Sequence, residues 1–170
     1  MNNITCPHCG NTYPDFDVAH VCSKGPYAPK FDPEQAVRDF AIEQEKKAVK
    51  LKELLDKADF LDDDGYPTDD ALETIRLWHW NDQRGWFNFI KGLWYMASWG
   101  WSEGEEDHDW DKLKKVYRYN ISTAGWSGNE TIIRAMRACD MMWDLTWVQS
   151  RRGGHYIFEI HQFGDDNESI

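Results

Sequence analysis

The chain has 170 residues, 41% of them hydrophobic and 29% charged, which suits one main domain with a small appendage and is cramped for two full domains. Its formal net charge of -11 argues against a general nucleic-acid binder, whose footprint is basic, and fits either simple solubility or a basic protein partner. No stretch approaches the ~20 apolar residues of a membrane helix, and the opening Met1-Asn2-Asn3-Ile4-Thr5-Cys6 lacks signal-peptide regions, so the expectation is cytoplasmic residence without a membrane partner.

Residues 1–30 carry few apolar runs. They contain Cys6-Pro7-His8-Cys9-Gly10 and then His20-Val21-Cys22. Cytoplasmic thiols stay reduced, so a cysteine cluster points to metal before disulfide. The Cys-x2-Cys spacing lets two thiolates and nearby N–H groups wrap one zinc ion. The expected ligands are Cys6, Cys9, His20 and Cys22. The single spacer residue between His20 and Cys22 is tighter than usual, which leaves His8 as an alternative to His20. Four ligands describe a closed structural site, and zinc would supply the folding energy that this segment's side chains lack. Gly25-Pro26-Tyr27-Ala28-Pro29 then reads as a linker.

A long amphipathic helix is predicted over 33–58, within a segment spanning 31–60. Asp32 caps it and Pro33 sits at its first turn. Val37, Phe40, Ala41, Gln44, Ala48, Leu51, Leu55 and Ala58 form one stripe, and Glu34/Arg38, Glu43/Lys47 and Glu53/Lys57 are spaced for ion pairs. Such a helix packs on the domain or pairs with a second copy, so a homodimer through 33–58 is one expected partner. Asp62 to Pro67 is an acidic turn. It is not a calcium loop, because Phe60 and Ala71 fall where that loop needs carboxylates.

The domain proper is expected over 61–163, followed by an acidic tail at 164–170. Thr68-Asp69-Asp70 caps a helix through Leu72, Ile75 and Trp78. A further helix is predicted over 82–98, with Trp86, Phe89, Ile90, Leu93, Trp94 and Ala97 inward. Glu103 to Asp111 reads as a solvated loop. Val116 to Ser122 alternates as a strand, and a helix follows over about 128–140, with Cys139 in the core. Trp143, Leu145 and Trp147 alternate as a second strand. Arg152-Gly153-Gly154-His155 turns the chain into a third, carrying Tyr156, Phe158 and Ile160. The fold class is therefore α+β: a three-stranded antiparallel sheet with several helices, preceded by a zinc knuckle and a long helix. Ten Trp exceed what such a core hides, which places some on a contact surface.

Two segments stand out, Ser122 to Glu130 and Ser150 to Tyr156, and sheet pairing would bring them to one end. One reading is structural: Ser127 and Glu130 form a capping box, and the glycines serve turns. The other is an anion site. The free N–H groups of a helix start at Ser127, Gly128, Asn129 and Glu130 would meet the Arg151 and Arg152 guanidinium groups, with His155 beside them. Glu130 and His155 could then do acid–base work, but no nucleophile with its base and orienting group is recognisable, so no catalytic residue is assigned.

Ser122 to Glu130, with Trp147 and Ser150 to Tyr156, resembles a family of small uncharacterised proteins of tailed bacteriophages and prophages. Those carry similar Ser-Thr-Gly-Gly-Trp-Ser-Gly-Asn-Glu and Ser-Arg-Arg-Gly-Gly-His-Tyr stretches, and this chain departs from them at Ala124. The resemblance covers roughly residues 60–160, excludes the zinc knuckle, and implies expression in a bacterial host cell. It brings no catalytic residues. The resulting expectation is a phage accessory protein that binds a host or defence-system protein through acidic and aromatic surfaces, as an inhibitor would. The alternative is nucleotide or nucleic-acid binding at the Ser127–Glu130/Arg151–His155 surface, with a phosphoester-directed enzyme using His155 and Glu130 ranked behind it.

Overall fold

The structure, a computed structural model, describes residues 3–6, 9–14, 32–57, 59–112 and 114–161. His8, His20, Cys22, the Pro-rich linker and the acidic tail lie outside the described residues. The chain divides into two compact units, Met1–Glu43 and Gln44–Ile170.

In the first unit, β1 (Asn3–Thr5) pairs antiparallel with β2 (Thr12–Pro14). The turn between them holds Cys6 and Cys9. Gly10 takes φ +77°, a conformation glycine adopts without steric cost, and this lets its N–H reach the Cys6 carbonyl at 2.9 Å. The Cys6 N–H in turn donates to Asn11 O at 2.9 Å. Helix α1 (Pro33–Leu55) starts here, with Asp32 Oδ1 accepting the N–H groups of Glu34 and Gln35. The cap is as expected, and the helix ends three residues before the predicted 58.

The predicted stripe of α1 is not a buried one. Val37 and Phe40 are exposed, and the helix's one buried residue among those described is Leu54, outside the stripe. Lys57 also leaves the Glu53 pairing for Asp70, at 2.7 Å.

The second unit contains the core. Its further elements are α2 (Asp69–Leu77), α3 (Gln83–Leu93), α4 (Ala97–Gly100), β3 (Trp101–Asp107), β4 (Lys115–Ser122), α5 (Ser127–Arg137), α6 (Asp140–Thr146), β5 (Trp147–Arg151) and β6 (His155–His161). The class is α+β as expected, but the antiparallel sheet has four strands, in the order β3-β4-β6-β5, not three. One face buries Trp101, Tyr119, Ile121, Tyr156 and Phe158 against the helices. Phe87 stacks on Tyr119 with centroids 4.0 Å apart, and Trp86 donates its indole N–H to Ile75 O at 3.0 Å, so these large rings fill the core without orphaned polar atoms.

Three sequence expectations fail here for identifiable reasons. Of the acidic stretch Glu103 to Asp111 read as a loop, residues 103–107 belong to β3 and 108–111 lie outside any strand; neighbouring cations neutralise the strand part. Lys91 reaches Glu103 at 2.9 Å, Arg118 reaches Glu106 at 2.7 Å, and Lys115 pairs with Asp107. A charged edge strand also discourages pairing with a foreign strand. The predicted 82–98 helix stops at Leu93, because Asn129 captures the backbone of Tyr95 and Met96 turns left-handed at φ 56°. Finally, Trp143 and Leu145 lie on helix α6, not on a strand. Met142 and Thr146, four apart, are its buried positions, and the strand begins only at Trp147.

Candidate functional site

The two singled-out segments meet as expected. Ser122 pairs with His155 in the β4–β6 register, and the Thr123 N–H donates to Gly154 O at 3.0 Å. Their roles then diverge.

The Ser122 to Glu130 segment is built inward. Trp126, not Ser127, stands at the N-cap position of α5 and makes no side-chain cap bond, so the expected capping box does not form. Ser127 Oγ sits 3.3 Å from the Tyr66 hydroxyl instead. Glu130 accepts a hydrogen bond from Thr123 Oγ1. The Trp126 ring lies between Tyr66 and Tyr95, at 4.7 and 4.6 Å, and folds over Gly128, where a Cβ would collide with it. Asn129 is fully buried: its Oδ1 accepts the Tyr95 N–H at 3.0 Å and its Nδ2 donates to Tyr95 O at 3.2 Å. These contacts describe a clamp that holds the α3–α4 turn.

The second segment faces outward. β5 and β6 are joined by a turn in which Gly153 and Gly154 both take positive φ, 93° and 76°. Strand alternation sends Tyr156 and Phe158 into the core, and His155 and Ile157 to the opposite face. Register places Arg151 beside His155, Ser122 across from His155, Asn120 across from Ile157, and Ser102 across from Asn120. Those residues line a concavity of about 400 Å³ on the face turned away from the core, with Trp99 and Gly100 on its wall. Trp99 is 67% exposed.

Neither Arg151 nor Arg152 pairs with a carboxylate among the described residues. Hydroxyl and amide groups of Ser102, Ser122 and Asn120 complete a wall of donors, suited to an anionic group bound beside the Trp99 ring. Of the residues the sequence named for an anion site, Arg151 and His155 line the concavity, whereas Arg152, Ser127, Gly128, Asn129 and Glu130 do not. The sequence reading missed Trp99, Ser102 and Asn120. Strand period marks Ser102 and Asn120 as partners only once β3 is known to be a strand.

Two other groups bear on chemistry. Cys139 is buried in the core as expected, and burial pushes its thiol up. Cys6 and Cys9 share one turn, the arrangement a two-thiolate metal knuckle requires. No protein-family model, curated protein or solved structure matches this chain.

Proposed function

We propose that this protein works by binding, and that the open face of its sheet receives a ligand bearing a phosphate or carboxylate group. The observation that carries the reading is Arg151, a guanidinium without an internal carboxylate partner among the described residues, lining a concavity with both polar and apolar walls on an acidic chain. Trp99 at the wall fits a planar ring such as a nucleobase, by stacking. Nucleotides, or the end of a nucleic acid, are the ligand class with both features. Titrating the full chain with AMP tests this. Arg151→Ala should lower affinity at least tenfold, as loss of a bidentate charged contact does. Equal affinity in the variant would end the reading.

A second reading has its own support: a phage accessory protein that engages a host or defence-system protein. β5 is an edge strand with Trp147 and Val148 exposed, and Met141 and Leu145 are exposed on α6 just before it. An edge with unpaired backbone groups and apolar side chains is what strand addition by a partner uses. A host protein retained by the tagged chain, lost on Val148→Asp and kept on Arg151→Ala, would favour this reading over the first.

The zinc knuckle is proposed alongside both, with Cys6, Cys9 and Cys22 as ligands and His20 or His8 as the fourth. A Cys6→Ser/Cys9→Ser chain would then lose one tightly held zinc.

A further inference from the structure

The strongest unassigned cluster lies at the other end of the same open sheet face, away from Arg151. Glu159 and His161 are two apart on β6, so strand alternation puts both on the face opposite the core. His108 follows the last residue of β3. The His108 and His161 rings lie 5.6 Å apart. One donor atom from each of His108, Glu159 and His161 falls within 4.8 Å of the other two.

The surroundings favour a cation. Glu159 is buried, and its Oε1 accepts N–H groups from the Arg118 guanidinium, which orients the carboxylate and leaves Oε2 without a hydrogen bond among the described residues. Arg118 also pairs with Glu106 at 2.7 Å and Asp109 at 2.9 Å. Three carboxylates therefore surround one guanidinium, a net local charge of -2 that a divalent ion would balance. A carboxylate held by a second group is the usual support for a metal ligand.

We propose that His108, Glu159 and His161 form a divalent transition-metal site, distinct from the cysteine knuckle. Two imidazoles and one carboxylate select a borderline ion such as zinc over magnesium or calcium. Three protein ligands leave a coordination position open to water or an added ligand. Donors on one zinc sit roughly 3–3.5 Å apart, so the cluster must close by about 1–2 Å. Exposed His161 and loop-borne His108 can rotate that far. His108 Nδ1 accepts the Asp111 N–H at 3.1 Å, and ligation exchanges that hydrogen bond for a metal bond at the ring. A bound ion would tie the β3–β4 loop to β6.

The test uses the full chain without a polyhistidine tag and with Cys6→Ser/Cys9→Ser, which removes the knuckle's thiolate pair. Zinc is measured by equilibrium dialysis. One zinc per chain is expected, with His161→Gln and His108→Gln each weakening binding at least tenfold. The His161 side chain is exposed and makes no hydrogen bond among the described residues, so its variant should keep the native near-ultraviolet spectrum. Absence of zinc in the double-serine chain would overturn the proposal. So would unchanged affinity after either histidine is replaced in a folded chain.

Discussion

Ala124 shows how much one backbone position can say. It takes φ 52°, in the left-handed region, where a Cβ is disfavoured by roughly 1–2 kcal/mol. Ala124→Gly should therefore stabilise the fold by about 0.5–1 kcal/mol, after allowing for the greater entropy of an unfolded glycine. Urea denaturation will show it as a higher midpoint at unchanged slope. Asn129→Ala should do the opposite. It strands the Tyr95 N–H and carbonyl, and the expected loss is about 2–4 kcal/mol in the same experiment. The residue identities of the 122–130 segment were legible as a specified stretch. That Asn129 and Glu130 serve the interior was not, because their partners Tyr95 and Thr123 are found only by folding the chain.

Elements were legible where local signals agree with packing. Thr68 caps α2 by accepting the Ala71 N–H, and the Gly153-Gly154 turn is where glycine pairs predict it. They were not legible where distant residues decide. β3 exists because Lys91, Arg118 and Lys115 come from other elements, and Leu93 ends its helix because of Asn129. Two predictions follow from the charged sheet. Arg118→Met leaves the buried Glu159 carboxylate unpaired, with an expected loss of about 3–5 kcal/mol, and adding Glu159→Gln should restore part of it. The second concerns pH. Burial alone would raise the Glu103 carboxyl, but hydrogen bonds from Lys91 and Trp101 outweigh it and hold it below the usual range. The Lys50 hydrogen bond lowers Glu73 likewise. Folded values below unfolded ones mean stability that is complete above about pH 4–5 and lost as pH falls through the folded values. Thermal melts should hold steady from pH 7 to 5 and decline below that, less steeply in Glu103→Gln.

At the scale of the whole molecule, the sheet separates two jobs. One face is filled by Trp86, Phe87, Tyr119 and Phe158, and the other presents polar groups at both ends. Hydrophobic patterning reveals the first face, since apolar period records burial. It cannot reveal the second, which depends on strand order and on β3. The ten Trp divide accordingly. Trp86, Trp94 and Trp101 are buried, while Trp99 at 67% and Trp110 at 92% exposure face outward, as the aromatic surplus implied. No helix among the described residues is long and apolar enough to cross a membrane. The binding account rests on the Arg151 concavity, and the most direct test is a ¹H–¹⁵N titration of the full chain with AMP, following the Trp99 indole N–H and the Arg151 and His155 amides. Saturable shifts are expected, confined to those signals and their neighbours on the open sheet face and abolished by Arg151→Ala. Shifts that miss this face, or that persist unchanged in Arg151→Ala, would contradict it.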